Sequence, residues 1–144
     1  MAVQFNATLI GDKELLRKLA NLEGRLRGDV SRKALNVGAT PVLQAMRKTV
    51  PVGDTGNLRH SLGKKVKQYR SGVSIAVVGP RIPQGAHAHL LESGTKERRH
   101  KKTGRRTGRV VGIRWMERAF DESSPIASER MIAYVKARLD NLGI

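Results

Sequence analysis

The stretch KELLRKLANLEGRL (13–26) sets Leu15, Leu19, Leu22 and Leu26 three and four residues apart, the spacing that gathers side chains on one face of an α-helix. Lys13, Arg17, Lys18 and Arg25 fall off that face, so the segment reads as an amphipathic helix with a stripe to bury. Just upstream the period is two. Val3, Phe5, Ala7 and Leu9 alternate with Gln4, Asn6 and Thr8 over residues 3–10, the pattern of a half-buried strand, and Gly11 ends it. Downstream, Gly28 is expected to interrupt the helix, and Asp29 to cap a second one carrying Val30, Ala34, Val37, Val42 and Ala45. Pro41, which lacks an amide donor, is expected to kink it.

The next stretch, PVGDTG (51–56), is turn chemistry, with Asp54 or Thr55 placed to cap a short helical turn anchored by Leu58 and Leu62. Residues 64–70 and 73–79 read as a hairpin closed by Ser71-Gly72. Of its two strands the second, with Val73, Ile75, Val77 and Val78, is apolar enough to lie inside. A loop at 80–85 precedes a short helix at 87–93 that Gly94 ends. Val110, Val111 and Ile113 read as a strand, Trp115 to Phe120 as an apolar cluster, and Ser124-Pro125 as a helix start. The face of that last helix would hold Ile126, Ile132, Val135, Leu139 and Leu142. No internal repeat is present.

Charge is the unusual feature of the composition. The 144 residues include 28 Lys and Arg against 12 Asp and Glu, a formal net charge of +16. A surface of that sign attracts polyanions, whether nucleic acid, an anionic membrane or an acidic protein face. Much of it is concentrated in KERRHKKTGRRTGR (96–109), where eight basic residues face the single acid Glu97. That run repels itself and has nothing to bury, so it reads as a flexible arm or a long hairpin tip. It holds no aromatic residue, which disfavours stacking on single-stranded nucleic acid. Arg98, Arg99, Lys101, Lys102, Arg105 and Arg106 are its candidate contacts, either to an acidic face of a neighbouring protein or, through phosphates and without sequence preference, to DNA. The chain has no cysteine, which removes disulfides and thiolate metal clusters. It has no apolar run near the ~18 residues of a spanning helix. The expectation is a soluble protein made in the cytoplasm, with no membrane partner.

No catalytic constellation emerges. His87 and His89 with Glu92 do not share a helical face and have no third ligand of suitable spacing. Neighbouring His60 and Ser61 lack the geometry of a triad and an acid to orient the imidazole. The glycines form no phosphate-binding loop, and a nuclease would need clustered acidic metal ligands that are missing. Arg59 and Glu92, opposite charges in apolar-flanked segments, are expected to pair, either within a subunit or between subunits.

Taken in order, PVGDTGNLRHSL (51–62), VVGP (77–80), AHAHLLESGT (86–95) and GIRWMERAFDES (112–123) resemble the tail-completion, or head-tail joining, proteins of lambdoid and related long-tailed bacteriophages. The matching positions are Pro51, Thr55, Gly56, Leu58, Arg59 and Ser61; Gly79; Glu92, Gly94 and Thr95; and Trp115, Met116, Ala119 and Phe120. The chain departs from the family pattern by carrying His87 or His89, and then Ser93, at the two places where aromatics are usual, and by its long basic segment. The resemblance implies a structural virion protein without enzymatic activity or cofactor. It would form a homo-oligomeric ring, commonly sixfold, at the neck or top of the tail, against head-closure, tail-terminator or tail-tube proteins. The alternative is a stand-alone basic protein that binds DNA without regard to sequence. The expected fold is a single α+β domain spanning residues 1–144, in which N-terminal helices and a C-terminal helix pack on a small, mainly antiparallel β-sheet and a basic arm emerges at 96–109.

Overall fold

The computed structural model describes residues 13–143; the strand expected at 3–10 lies outside them. Helices α1 (Lys13–Ala20) and α2 (Gly24–Thr49) come first, followed by α3 (Asn57–Ser61). Strands β1 (Leu62–Gln68) and β2 (Ser74–Pro80) form an antiparallel hairpin, and α4 (Ala88–Ser93) follows. A second small hairpin, β3 (Arg98–Arg99) with β4 (Arg106–Gly108), precedes the long α5 (Trp115–Asp140). The fold is α+β, helices packed on a small antiparallel sheet.

The spine is the pair α2 and α5, which run antiparallel. Val30 and Ala34 near the start of α2 cluster with Val135 and Leu139 near the end of α5. Midway, Gly38 sits so close to α5 that a Cβ would come within 2.7 Å of the Met131 sulfur and 3.2 Å of the Ala127 carbonyl. At the far end the Thr49 hydroxyl donates to the Trp115 carbonyl at 3.3 Å. The main core gathers Val42, Leu43 and Met46 of α2 with Leu58, Leu62, Val78 and Ala88, and with Trp115, Met116 and Ala119 of α5. Trp115, Met46 and Met116 are buried completely or nearly so, and each such side chain contributes roughly 1.5–3 kcal/mol through removal from water.

The leucine stripe behaves largely as its spacing predicts. Leu15 and Leu22 are buried, Leu19 and Leu26 half-buried, and their partners are Ile132, Val135 and Leu139 of α5. The helix boundaries differ from expectation in two places. The break between α1 and α2 falls at residues 21–23, and Gly28 lies within α2, where the Gln68 side chain occupies the space a Cβ would need. Asp29 therefore caps nothing and makes an exposed ion pair with Arg32 at 3.2 Å. α2 also continues through Pro41.

The second difference concerns Pro125, which does not begin a helix: α5 starts ten residues earlier and runs through it. The carbonyl that the missing amide would have reached, Asp121, is approached by the Ser124 hydroxyl at 3.4 Å. Ile126 is 47% exposed rather than part of the buried face. Residues 110–113 form no strand beyond a single bridge between Gly94 and Val111. Ahead of α3 the N-cap position is held by Gly56, which has no side chain to cap with; Thr55 accepts the Asn57 amide at a long 3.4 Å.

Candidate assembly surface

Two segments distant in sequence meet at the root of the basic arm. α4 ends at Gly94, whose backbone (φ 78°, ψ −174°) lies in a region open in practice to glycine alone. A Cβ at Gly94 would come within 2.6 Å of the Gly112 nitrogen and the Val110 carbonyl oxygen, and one at Gly112 within 2.7 Å of the Glu92 carbonyl oxygen. Because neither residue has a side chain, the two backbones approach closely enough to bond. The Thr95 amide donates to the Val110 carbonyl at 2.8 Å, and the Val110 amide returns to the Thr95 hydroxyl at 2.9 Å. The amides of Ile113 and Arg114 donate to the carbonyls of Leu91 and Glu92 at 2.9 and 3.1 Å.

Glu92 completes the junction. Its Oε2 accepts the Met116 amide at 2.8 Å and its Oε1 the Glu117 amide at 3.0 Å. These are amides of the first turn of α5, which have no carbonyl partner within the helix, and a carboxylate also complements the positive end of the helix dipole. Glu92, Gly94, Thr95, Trp115 and Met116, singled out in sequence as separate motif pieces, thus form one joint. It locks α4 to α5 and plants Trp115, Met116 and Ala119 in the core, with Phe120 half-buried beside them.

Within the subunit Arg59 and Glu92 do not pair. Both carboxylate oxygens of Glu92 are engaged by amides, and Arg59 is exposed on α3. The turn before it is a structural device: Gly56 has φ 61°, Leu58 is buried, and the buried Ser61 hydroxyl donates to the Leu58 carbonyl at 2.6 Å. Pro51 is half-buried just beyond α2, and Thr55 is exposed. His89 does not combine with His87 and Glu92; its Nδ1 donates to the Ala86 carbonyl at 2.9 Å. Among the described residues no group of three or more His, Cys, Asp or Glu could hold a metal ion. No described helix is long and apolar enough to cross a membrane.

From this joint the arm projects as a hairpin. Every residue from 96 to 109 is exposed. β3 and β4 pair with an irregularity at Arg98–Arg99, the Thr107 hydroxyl donates to the Arg98 carbonyl at 3.0 Å, and the tip closes through the His100 amide on the Arg105 carbonyl at 2.8 Å. One exposed ion pair, Arg106 with Glu97 at 3.4 Å, tempers the charge, and such pairs add little stability. Arg98, Arg99, Lys101, Lys102, Arg105 and Arg106 therefore share a small projecting element. Hydrogen bonds, mostly of the backbone, hold it, and no apolar packing does.

A second surface was not legible in the sequence. Beside β2 an apolar groove of about 230 Å³ opens between α2 and α5. The apolar character of β2 was visible, but the sequence carries no signal that its outer side would have no neighbouring strand among the described residues.

The profile of the HK97-gp10-like family, described as a bacteriophage HK97-gp10 tail component, matches residues 13–94. That span runs from the start of α1 to the glycine that ends α4, more than half of the chain, and stops where the arm begins. No individual curated protein and no solved structure matches the chain. With its helical spine, hairpin and Glu92–Gly94 joint inside the matched span or anchored to it, the chain belongs to the HK97-gp10-like family of bacteriophage tail components.

Proposed function

We propose that this chain is a non-enzymatic structural subunit, a single domain with one appendage. It forms a homo-oligomeric ring, sixfold as in the family it resembles, at the neck or top of the tail, where it completes the tail or joins it to the head. The observation that carries this reading is the rooted arm: a wholly exposed hairpin with eight basic residues, fixed to the core by a joint of facing glycines and a helix cap. A segment held in this way on a tail-component scaffold is built to reach beyond its own subunit. Many copies of such an arm in one ring repel each other unless something acidic lies between them. The arm docks on an acidic face of a neighbouring head-closure, tail-terminator or tail-tube protein.

The same charge supports a second reading, a basic protein that binds duplex DNA by itself through phosphates. Native mass measured at micromolar concentration, with and without duplex DNA, separates the two. A ring that forms without DNA supports the assembly reading; a monomer that changes mass only when DNA is added supports the second.

A further inference from the structure

Charge is divided along the chain in a way that the arm does not account for. Between Asp54 and Glu92 there is no acidic residue and there are six basic ones, whereas residues 117–129 carry four acids, Glu117, Asp121, Glu122 and Glu129, against the single base Arg118. The fold gives each stretch a surface of its own.

The first is the outer face of the β1–β2 sheet. Leu62 lies in the core, and the Lys64 ammonium turns inward to the Asn36 carbonyl and the Thr40 hydroxyl of α2, at 2.8 and 2.6 Å. Side chains alternate along a strand, so Lys65 and Lys67 point away from α2, and both are exposed. Directly opposite them, and therefore on the same face, stand Val77 and Ile75, each half-buried. Lys65 and Val77 line one depression together. The outer face thus sets a lysine row beside an apolar row.

The second surface is the outward side of α5. Glu122, Pro125, Ile126 and Glu129 recur at three and four residues, the spacing of one helical face. All four are exposed, Ile126 by 47%. Two carboxylates here bracket an apolar pair. Lys65, Lys67, Glu122 and Glu129 belong to none of the ion pairs formed among the described residues.

These surfaces complement one another, since each has charges of one sign beside apolar side chains and the signs are opposite. The basic arm fits α5 less well, because residues 96–109 offer no apolar side chain to cover Pro125 and Ile126. Duplex DNA fits the sheet less well, because phosphates on the lysines leave Ile75 and Val77 nothing apolar to meet. A contact between unlike surfaces passes head to tail from copy to copy and closes into a ring where the rotation allows. It also sets acid against base in a chain of net charge +16, whose copies otherwise repel.

We propose that the outer face of the β1–β2 sheet seats α5 of a second copy, with Lys65 and Lys67 against its Glu122 and Glu129, and Ile75 and Val77 against its Pro125 and Ile126. This contact rests on the ring and names the surfaces that build it.

The readout is the native mass of the full-length chain at micromolar concentration. Wild type should form a ring; a wild-type monomer overturns the ring and this contact with it. Lys65→Glu with Lys67→Glu in one variant, and Glu122→Lys with Glu129→Lys in a second, should each weaken assembly by about 100-fold or more, since like charges then face each other. Equal amounts of the two, mixed, should restore rings, because every contact between unlike variants again joins lysine to glutamate. Variants that keep the ring, or a mixture that stays dissociated, overturn the contact while the wild-type ring stands. If either variant fails to fold, crosslinking decides. The chain has no cysteine, so a short bismaleimide should join Lys67→Cys chains to Ile126→Cys chains when the two are mixed and give no dimer from either alone. Dimers from a single variant, or none from the mixture, overturn the proposal.

Discussion

At Glu92 a single side chain holds two amides of α5 and stands one residue before the end of α4. Glu92→Ala leaves both amides without acceptors and removes a negative charge from the helix N-terminus. It should cost about 1–3 kcal/mol in urea unfolding, with Glu92→Gln in between because one acceptor oxygen remains. Arg59→Ala should be close to neutral, and combining it with Glu92→Ala should give additive effects within about 0.5 kcal/mol. A larger coupling would restore the charge pair that the structure replaces with a cap. The sequence marked Glu92 correctly as a half-buried charge in need of a partner. It could not show which partner, because the amides of Met116 and Glu117 lie 24 and 25 residues on and reach Glu92 only when the arm doubles back. Gly94 was legible as a helix end, whereas its close approach to Gly112 depends on the same return of the chain.

Among the helices, the leucine stripe was readable from its period alone and the boundaries were not. Gly28 and Pro125 are residues that weaken a helix locally, and here packing overrides them: α2 and α5 lie against one another along much of their length, with Gly38 against Met131 at the centre. In that setting a missing amide or a flexible residue is outweighed by the apolar face the helix continues to bury. α1 has no such length, and its hold on the domain comes from the stripe. Leu22→Ala, at a site only 7% exposed, should cost about 2–5 kcal/mol in thermal or urea unfolding. Leu19→Ala, at a half-buried position, should cost distinctly less. Equal losses at the two positions would mean that the Leu19 side of α1 is covered by something besides α5.

For the molecule as a whole, charge and fold occupy different places. The core is apolar and held by α2 and α5, while the arm carries a net excess of seven positive charges on an exposed hairpin. Replacing Arg98, Arg99, Lys101, Lys102, Arg105 and Arg106 with Ser should leave the urea midpoint nearly unchanged and block the joining of heads to tails in a complementation assay. Particles that still join but lose or fail to deliver DNA would assign the arm to DNA. In that case the purified wild-type chain should bind duplex DNA with a log-log salt slope of about −0.9 per phosphate neutralised. Joined, DNA-filled and infectious particles at normal yield would leave the arm without either role. The sequence showed the arm's charge and position, but not that it stands on a fixed root, because the root is built from residues on both sides of it. That construction gives the arm a load path. A pull on its tip loads β3 and β4 side by side, and the tension runs down both strands to the paired Thr95 and Val110 and on to the end of α4 and the start of α5. A neighbour gripped through this arm would therefore draw on two backbones at once, and the load would be shared between two helices of the subunit behind it.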